Sequence, residues 1–445
     1  MHRFDSNVDR FAAEVFAFAL RRASEDLGSI ELGHPLSPAE LDVAAGPTVT
    51  EAGLGAQEAL RLFTEVLEPA CLSTDSPQYL AFVPAAPTEV SILADLAVSA
   101  CSIYGGSWQE GAGAVWAENQ ALRWLADLAG LPPGAGGCFV AGGTIGNLSA
   151  LVAARTAAAT PPPGRRRAMV AGGASHSSLA TAATVMDVDL IAAAGDRLTG
   201  EALERVLVDE GDRVFAVVAT AGTTNLGLID DLESVAAVCR HFGLWLHVDG
   251  AYGGAALAAP SVRSRFAGIE QADSFIVDPH KWLFAPFDSC ALLYRDPEQG
   301  RRAHSQHASY LDVLTDSADW NPSDFAIHLT RRARGLPFWF SLAAHGTAAY
   351  TEAVETCLQT TVAGADLIRA TQHLQLVCEP ELSILAFRRV GWTARNYQTW
   401  SDELLRQGTA LVVPSAHDGE PILRCCIVNP RTTADDLRVI VDSLV

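Results

Sequence analysis

Between about residues 76 and 300, short apolar runs alternate with stretches of helical period. The runs are 138–140, 168–171, 190–193, 214–219, 244–248, 274–277 and 290–294. Helical stretches lie between several of them, at 147–158, 201–208 and 232–242. Apolar strands of this length, separated by helices, predict an α/β domain built on a parallel-rich sheet. Such sheets bind ligands at the carboxyl ends of their strands. The chain before residue 76 reads as helices. Residues 11–23 are amphipathic, and Leu36-Ser37-Pro38-Ala39-Glu40-Leu41 has the form of a capped helix start. This segment has little core of its own, so it is expected to pack on another element or another subunit. After residue 331 come a long helix at 338–356, strands at 374–379, 384–389, 410–414 and 422–428, and a closing helix at 433–445. The predicted organisation is an N-terminal helical segment (1–75), a large domain (76–330) and a smaller α+β domain (331–445).

Composition narrows the function classes. Hydrophobic residues make up 49% of the 445 residues and charged residues 19%, enough apolar material for a sizeable core. The net charge of −21 gives no support to nucleic-acid binding, which needs a clustered basic surface. No apolar stretch approaches a membrane span; the Ala-rich run 146–160 is interrupted by Asn147 and Arg155. The N-terminus lacks a basic region followed by an apolar run, so no secretory signal is expected. The nine cysteines show no CxxC pair and no zinc-type spacing, which fits reduced thiols in the cytoplasm. No metal site is expected.

The candidate chemistry sits at the predicted strand ends. Ser274-Phe275-Ile276-Val277-Asp278-Pro279-His280-Lys281-Trp282 carries an apolar strand into a polar turn that ends in a lysine. A lysine so placed can form an imine with a carbonyl in a cleft. Most lysines are solvated surface residues, but Lys281 is the only lysine in this chain. In Leu244-Trp245-Leu246-His247-Val248-Asp249-Gly250-Ala251-Tyr252-Gly253-Gly254, an acid at a strand end is followed by small residues. A carboxylate there can keep a pyridine nitrogen protonated, and a protonated ring is an electron sink. Alone, Asp249 would read as a turn residue; with Lys281 one βα unit later, the chemical reading is favoured. Gly142-Gly143-Thr144-Ile145-Gly146-Asn147 joins a strand to a helix and forms a candidate anion site. His176, in Ala174-Ser175-His176-Ser177-Ser178, could stack on a ring or serve as a cap-region histidine. Thr220, in Ala219-Thr220-Ala221-Gly222-Thr223-Thr224-Asn225, could bond a ring substituent or belong to an ordinary turn.

The order of these five motifs resembles the group II pyridoxal-5'-phosphate (PLP) decarboxylases, the aromatic-amino-acid and glutamate decarboxylase family. The likeness spans roughly residues 35–445. It includes Ser76-Pro77-Gln78-Tyr79-Leu80-Ala81-Phe82, Trp116-Ala117-Glu118-Asn119 and Arg331-Arg332-Ala333-Arg334-Gly335-Leu336. The resemblance implies a fold-type-I PLP-dependent transferase-like architecture, with a mostly parallel seven-stranded sheet and a smaller C-terminal domain. It implies PLP held as a Schiff base by Lys281. It also implies Asp249 at the pyridine nitrogen, Ala251 beneath the ring and His176 above it. Gly143, Thr144 and His280 would hold the phosphate or orient the lysine, and Thr220 would lie near the ring hydroxyl. Arg424 would face the substrate carboxylate, with Tyr79, Phe82 and Pro84 on the substrate side. Ala85 and Trp108 are further pocket candidates. The partners implied are a small-molecule amino acid and a second copy of the chain in a homodimer.

The implied reaction is decarboxylation of an L-amino acid to its amine. The mostly apolar pocket candidates favour an aromatic or aliphatic side chain over an acidic one. The chain departs from the family at two places. Many relatives carry a tyrosine on a mobile loop as a proton donor, yet residues 312–329 contain Trp320, Phe325 and His328 and no tyrosine, and Tyr310 precedes them. Pro337 stands where many relatives have a lysine. Loss of the loop tyrosine opens a second outcome, oxidative deamination to an aldehyde. Transamination and a non-catalytic binding role are the remaining alternatives. His176 or a residue of the 312–329 loop is the candidate proton donor.

Overall fold

The computed structural model describes residues 6–24, 30–306 and 319–445. Seven strands form the central sheet: β1 (Gly136–Val140), β2 (Ala168–Gly172), β3 (Asp189–Ala193), β4 (Val214–Thr220), β5 (Trp245–Asp249), β6 (Ser274–Val277) and β7 (Cys290–Tyr294). Their order across the sheet is β1-β7-β6-β5-β4-β2-β3. Only β7 runs against the rest, pairing antiparallel with both β1 and β6. β1, β2, β4, β6 and β7 are buried along their whole length. That explains why they read as continuous apolar runs instead of alternating ones. Helices Gly143–Ala157, Gly200–Glu210 and Leu232–Phe242 are the crossovers expected from the sequence.

The C-terminal sheet contains β8 (Leu374–Leu376), β9 (Ile384–Arg389), β10 (Pro414–His417) and β11 (Glu420–Cys426), in the order β10-β11-β9-β8. A helix from Leu336 to Ala370 leads into it. This helix runs well past the predicted end because Val354, Cys357, Leu358, Thr361, Ala365 and Ile368 keep burying one face at helical spacing. It is broken at Gly346, where φ is +76°.

Residues 410–413 do not form a strand of the small sheet, which the chain joins only at Pro414. Leu411 instead bridges to Tyr79, the Leu80 amide donates to the Leu411 carbonyl at 3.0 Å, and the Leu411 amide donates to Gln78 at 2.9 Å. The Cys426 amide also donates to Leu80, at 2.8 Å. The run 410–414 is apolar because it is buried against the segment at 78–80. Near the N-terminus, Ser37 and Glu40 form the reciprocal capping box that the sequence suggests. Among the described residues, no helix is long and apolar enough to cross a membrane.

Candidate active site

The register of the parallel strands assembles the site. Thr220 lies beside Asp249, and Asp249 beside Ile276, so the ends of β4, β5 and β6 open at one level. The chain leaving β6 turns through Asp278 to Lys281. A cavity of about 260 Å³ lies there, lined by Gly143, Thr144, His176, Thr220, Asp249, Ala251, His280 and Lys281, with Asn147, Tyr252, Asp278 and Asp288. Five separate sequence motifs thus meet in one space.

Lys281 stands at the centre of the site's charge. Its Nζ lies 2.9 Å from Asp278 Oδ2, and Asp278 is 1% exposed. Burial would push the ammonium down, but Asp278 outweighs that and holds it above the ordinary lysine value. Burial likewise pushes the Asp278 carboxyl up, and Lys281 and His280 reverse the shift and hold it below the usual range. The other oxygen, Asp278 Oδ1, has no partner. His280 Nδ1 is 3.0 Å from the Ser289 amide that donates to it, and burial pushes this imidazole down.

Asp249 is gripped from two sides. Its Oδ2 accepts from Asn147 Nδ2 at 2.8 Å, and its Oδ1 accepts from the Ala251 amide at 3.0 Å. Opposite, the helix Gly143–Ala157 begins without a side-chain cap; the Ile145 amide turns back to the Gly142 carbonyl at 3.0 Å, leaving the Gly143 and Thr144 amides outside the helical ladder. A Cβ on Gly143 would lie 3.1 Å from the Ala251 Cβ and 3.2 Å from Asp278 Oδ2, so glycine keeps this corner of the cavity open. The exposed His176 accepts from the Ser178 amide through Nδ1 at 3.1 Å. Thr220 is buried, and its amide donates to Asp230 Oδ2 at 2.6 Å.

The expected substrate-side residues lie elsewhere. Tyr79 packs with Leu32, Ala81 and Leu411 and does not line the cavity. Phe82 sits at φ +52° with 59% of its surface exposed, while Pro84 and Ala85 are buried. This segment leads to Thr88, whose amide donates to the Phe284 carbonyl at 3.0 Å, three residues beyond Lys281. Trp108 opens a helix, and its amide donates to Asn321 at 2.9 Å. Arg424, on β11, is 7% exposed, and its Nε and Nη2 have no partner. It lies near Cys426 and Tyr252.

Of the loop candidates, Tyr310 and 312–318 fall outside the described residues. Trp320 stacks on Phe325 at 4.5 Å and donates to the Gly137 carbonyl, away from Lys281. His328 lies against Cys138 and the Pro322 carbonyl, and burial pushes it down to about 4. His247, fully buried in β5, is also pushed down to about 4 by burial. An unfolded chain protonates such histidines near 6.5, whereas the folded chain keeps them neutral to about 4. Folding stability is therefore expected to fall as pH drops through that window, by up to about 1.4 kcal/mol per pH unit for each histidine. Urea titrations between pH 7 and 4 test this, and His328→Gln should remove one histidine's share of the slope.

Sequence reasoning assigned no role to Asn147, His247 or Asp278, although all three stand in the quoted motifs. A polar side chain at a fully buried position needs a partner, and that rule was the available signal. Together, the cavity offers an amine that can form an imine, helix N–H groups for an anion, and a buried carboxylate able to pair with a protonated ring nitrogen. These groups fit a flat heteroaromatic aldehyde bearing a phosphate.

Known proteins point the same way. The family model of the pyridoxal-dependent decarboxylase conserved domain matches residues 47–390. The chain is 28% identical over 408 residues to an aromatic-L-amino-acid decarboxylase of Bacillus atrophaeus, covering 88% of this chain and 85% of the relative. It is 31% identical over 372 residues to an L-2,4-diaminobutyrate decarboxylase of Rhizobium meliloti (strain 1021), covering 80% and 74%. In fold it is similar to Oryza sativa TDC with PLP and tryptamine, with a TM-score of 0.90 at 23% identity over 100% of this chain and 98% of that one. The chain belongs to the pyridoxal-dependent decarboxylase family, and is a PLP-dependent carboxy-lyase acting on an amino acid.

Proposed function

We propose that the substrate is an L-amino acid with an aromatic or apolar side chain, released as its amine and CO2. The observation that carries this choice is that the acidic groups lining the cavity are already engaged. Asp278 pairs with Lys281, Asp288 with Arg334, and Asp249 with Asn147 and the Ala251 amide. Each described carboxylate of the cavity therefore already has a partner, and the one oxygen left over, Asp278 Oδ1, is fully buried beside the Lys281 ammonium. The apolar segment at 82–87, which abuts the Lys281 turn, supports the same choice.

PLP, when bound, supplies the electron sink that makes loss of CO2 feasible. The chain's own groups do the rest. Lys281 holds the cofactor and afterwards releases the product. Asp249 holds a proton at the ring nitrogen. Ala251 and His176 border the two ring faces, and Thr220 lies toward the ring hydroxyl. Gly143, Thr144 and His280 take the phosphate or orient the lysine. Arg424 receives the α-carboxylate; its unpartnered Nε and Nη2 form the edge a carboxylate bonds in bidentate fashion. Tyr79, Phe82 and Pro84 are assigned to the substrate side, with Tyr79 acting through packing. His176 is the assigned proton donor, since neither Trp320 nor His328 lines the cavity. The working unit is a homodimer. Exposed Phe16, Leu20, Phe63, Leu67, Leu93 and Leu96 support a covered face near the N-terminal helices. The nine free cysteines speak for the cytoplasm.

A panel of L-tryptophan, L-tyrosine, L-phenylalanine, L-histidine and L-2,4-diaminobutyrate, scored by CO2 release, tests the substrate. The highest kcat/KM is expected for an aromatic member; diaminobutyrate as the best substrate would overturn the reading. Arg424→Gln is expected to raise KM roughly tenfold while leaving binding of the amine product unchanged.

The absence of a tyrosine from 312–329 favours one second reading. In it, amino acid, O2 and water give aldehyde, CO2, ammonia and hydrogen peroxide. Peroxide in step with CO2 would select it.

A further inference from the structure

Behind Asp249 runs a line of buried polar side chains that the reaction does not touch. Trp245 Nε1 lies 2.8 Å from Ser274 Oγ, and Ser274 Oγ lies 2.8 Å from His247 Nδ1. His247 Nε2 lies 2.8 Å from Asn147 Oδ1, and Asn147 Nδ2 lies 2.8 Å from Asp249 Oδ2. His247 and Ser274 are fully buried, and Asn147 is 1% exposed. Four bonds of equal length therefore connect the far end of β5 with the cavity, passing through β6 and the helix after β1.

The two ends of this line leave one arrangement of protons. An indole N–H can only donate, and an ionised carboxylate can only accept. The order is set from the carboxylate end: Asp249 accepts from Asn147 Nδ2, so the Asn147 carbonyl oxygen faces His247 Nε2, and Nδ1 is left to accept from Ser274 Oγ, to which Trp245 also donates. The imidazole, kept neutral by burial, then carries its proton on Nε2 and donates to the Asn147 carbonyl oxygen. The amide turns both its N–H groups the other way. One goes to Asp249, and the other to Ser178 Oγ at 3.0 Å. Because each bond polarises the next, the line acts as a unit.

We propose that Asn147 and His247 are positioning residues for Asp249, and that Trp245 anchors the far end of the line. The line holds the Asp249 carboxylate in the orientation that keeps a proton on the ring nitrogen of PLP. This rests on the reading of Asp249 as the partner of that nitrogen. Without the Asn147 donor, the carboxylate is held by the Ala251 amide alone and can turn. Without the Trp245 donor, Ser274 Oγ loses one of its partners, and the imidazole and the Asn147 amide behind Asp249 are held less firmly.

The test uses holoenzyme carrying PLP labelled with 15N at the ring nitrogen, whose NMR shift reports its protonation. Wild type should give the signal of a protonated ring. Asn147→Ala should move the signal toward the unprotonated position and weaken PLP binding roughly tenfold. Trp245→Phe, which keeps an aromatic ring and does not reach the cavity, should move it in the same direction by less. Melting of the cofactor-free proteins is measured alongside. Lower melting temperatures with an unmoved nitrogen signal in both variants would overturn the proposal and leave the line a packing device. An unprotonated nitrogen in the wild type would overturn the reading of Asp249, and the relay with it.

Discussion

Replacing Lys281 with alanine is expected to reduce turnover by roughly a thousandfold or more, the scale seen when an acting nucleophile is removed. It should also abolish the visible band of lysine-bound cofactor. No second lysine exists to substitute for it. The carboxylate that faces it makes the loss specific. Asp278 is 1% exposed and is paired with Lys281 at 2.9 Å; without the ammonium it is left buried beside His280, at 3.7 Å, an imidazole whose protonation burial disfavours. The variant should therefore also bind free PLP less tightly, because a buried negative charge now lies near the phosphate-bearing end. Absorbance spectra and CO2 release measure the two effects. A variant that kept the band, or more than a tenth of the activity, would remove Lys281 from its role.

Glu118→Gln is expected to destabilise the fold by about 3–5 kcal/mol, since it leaves a buried guanidinium without its counter-charge. Glu118 and Arg331 have side chains 2% and 1% exposed, and they meet in a two-pronged contact at 2.6 and 2.8 Å. The same carboxylate accepts from the Gly335 amide at 2.8 Å, at the start of the helix Leu336–Ala370. It thus serves as a negative charge at a helix N-terminus as well. Arg331 also donates to the Gly105 carbonyl at 2.6 Å. The pair ties the helix Trp108–Leu128 to the junction from which the C-terminal part departs. Replacing both partners with apolar residues, as in Glu118→Leu with Arg331→Met, should recover much of the loss. Denaturant unfolding of the single and double variants measures this. Equal destabilisation in all of them would mean that the contact, not the unpaired charge, matters.

Much of this was legible from residue order. Continuous apolar runs gave the strands because a sheet covered on both faces leaves no polar alternation to confuse them. The motifs at their ends gave Lys281, Asp249 and the glycine corner, because short-range spacing fixes what leaves a strand and where. Long-range pairing was not legible. Residues 410–414 read as a strand of the small sheet, yet only Pro414 joins it, and Leu411 pairs with 78–80, more than three hundred residues away. The resemblance of residues 76–82 implies a substrate-side Tyr79, and nothing in the residue order shows that its ring packs with Leu32, Ala81 and Leu411. Asn147 and His247 stood at positions where a buried polar side chain needs a partner, but which partner was not legible, since the bond between them joins residues one hundred positions apart.

A chain with one lysine, set in a cavity, also carries its own occupancy meter. Trypsin cuts after arginine and lysine, and the stretch between Arg265 and Arg295 contains Lys281 as its one internal cutting point. With Lys281 in its proposed role, borohydride fixes the cofactor to that amine, the cut is blocked and residues 266–295 leave as one peptide. A free amine yields two peptides, 266–281 and 282–295. The ratio of one peptide to two counts loaded and empty molecules in any sample, with no spectrum and no substrate. Apart from the amino terminus, every amine-directed label or cross-linker placed on this protein reports on the same cavity.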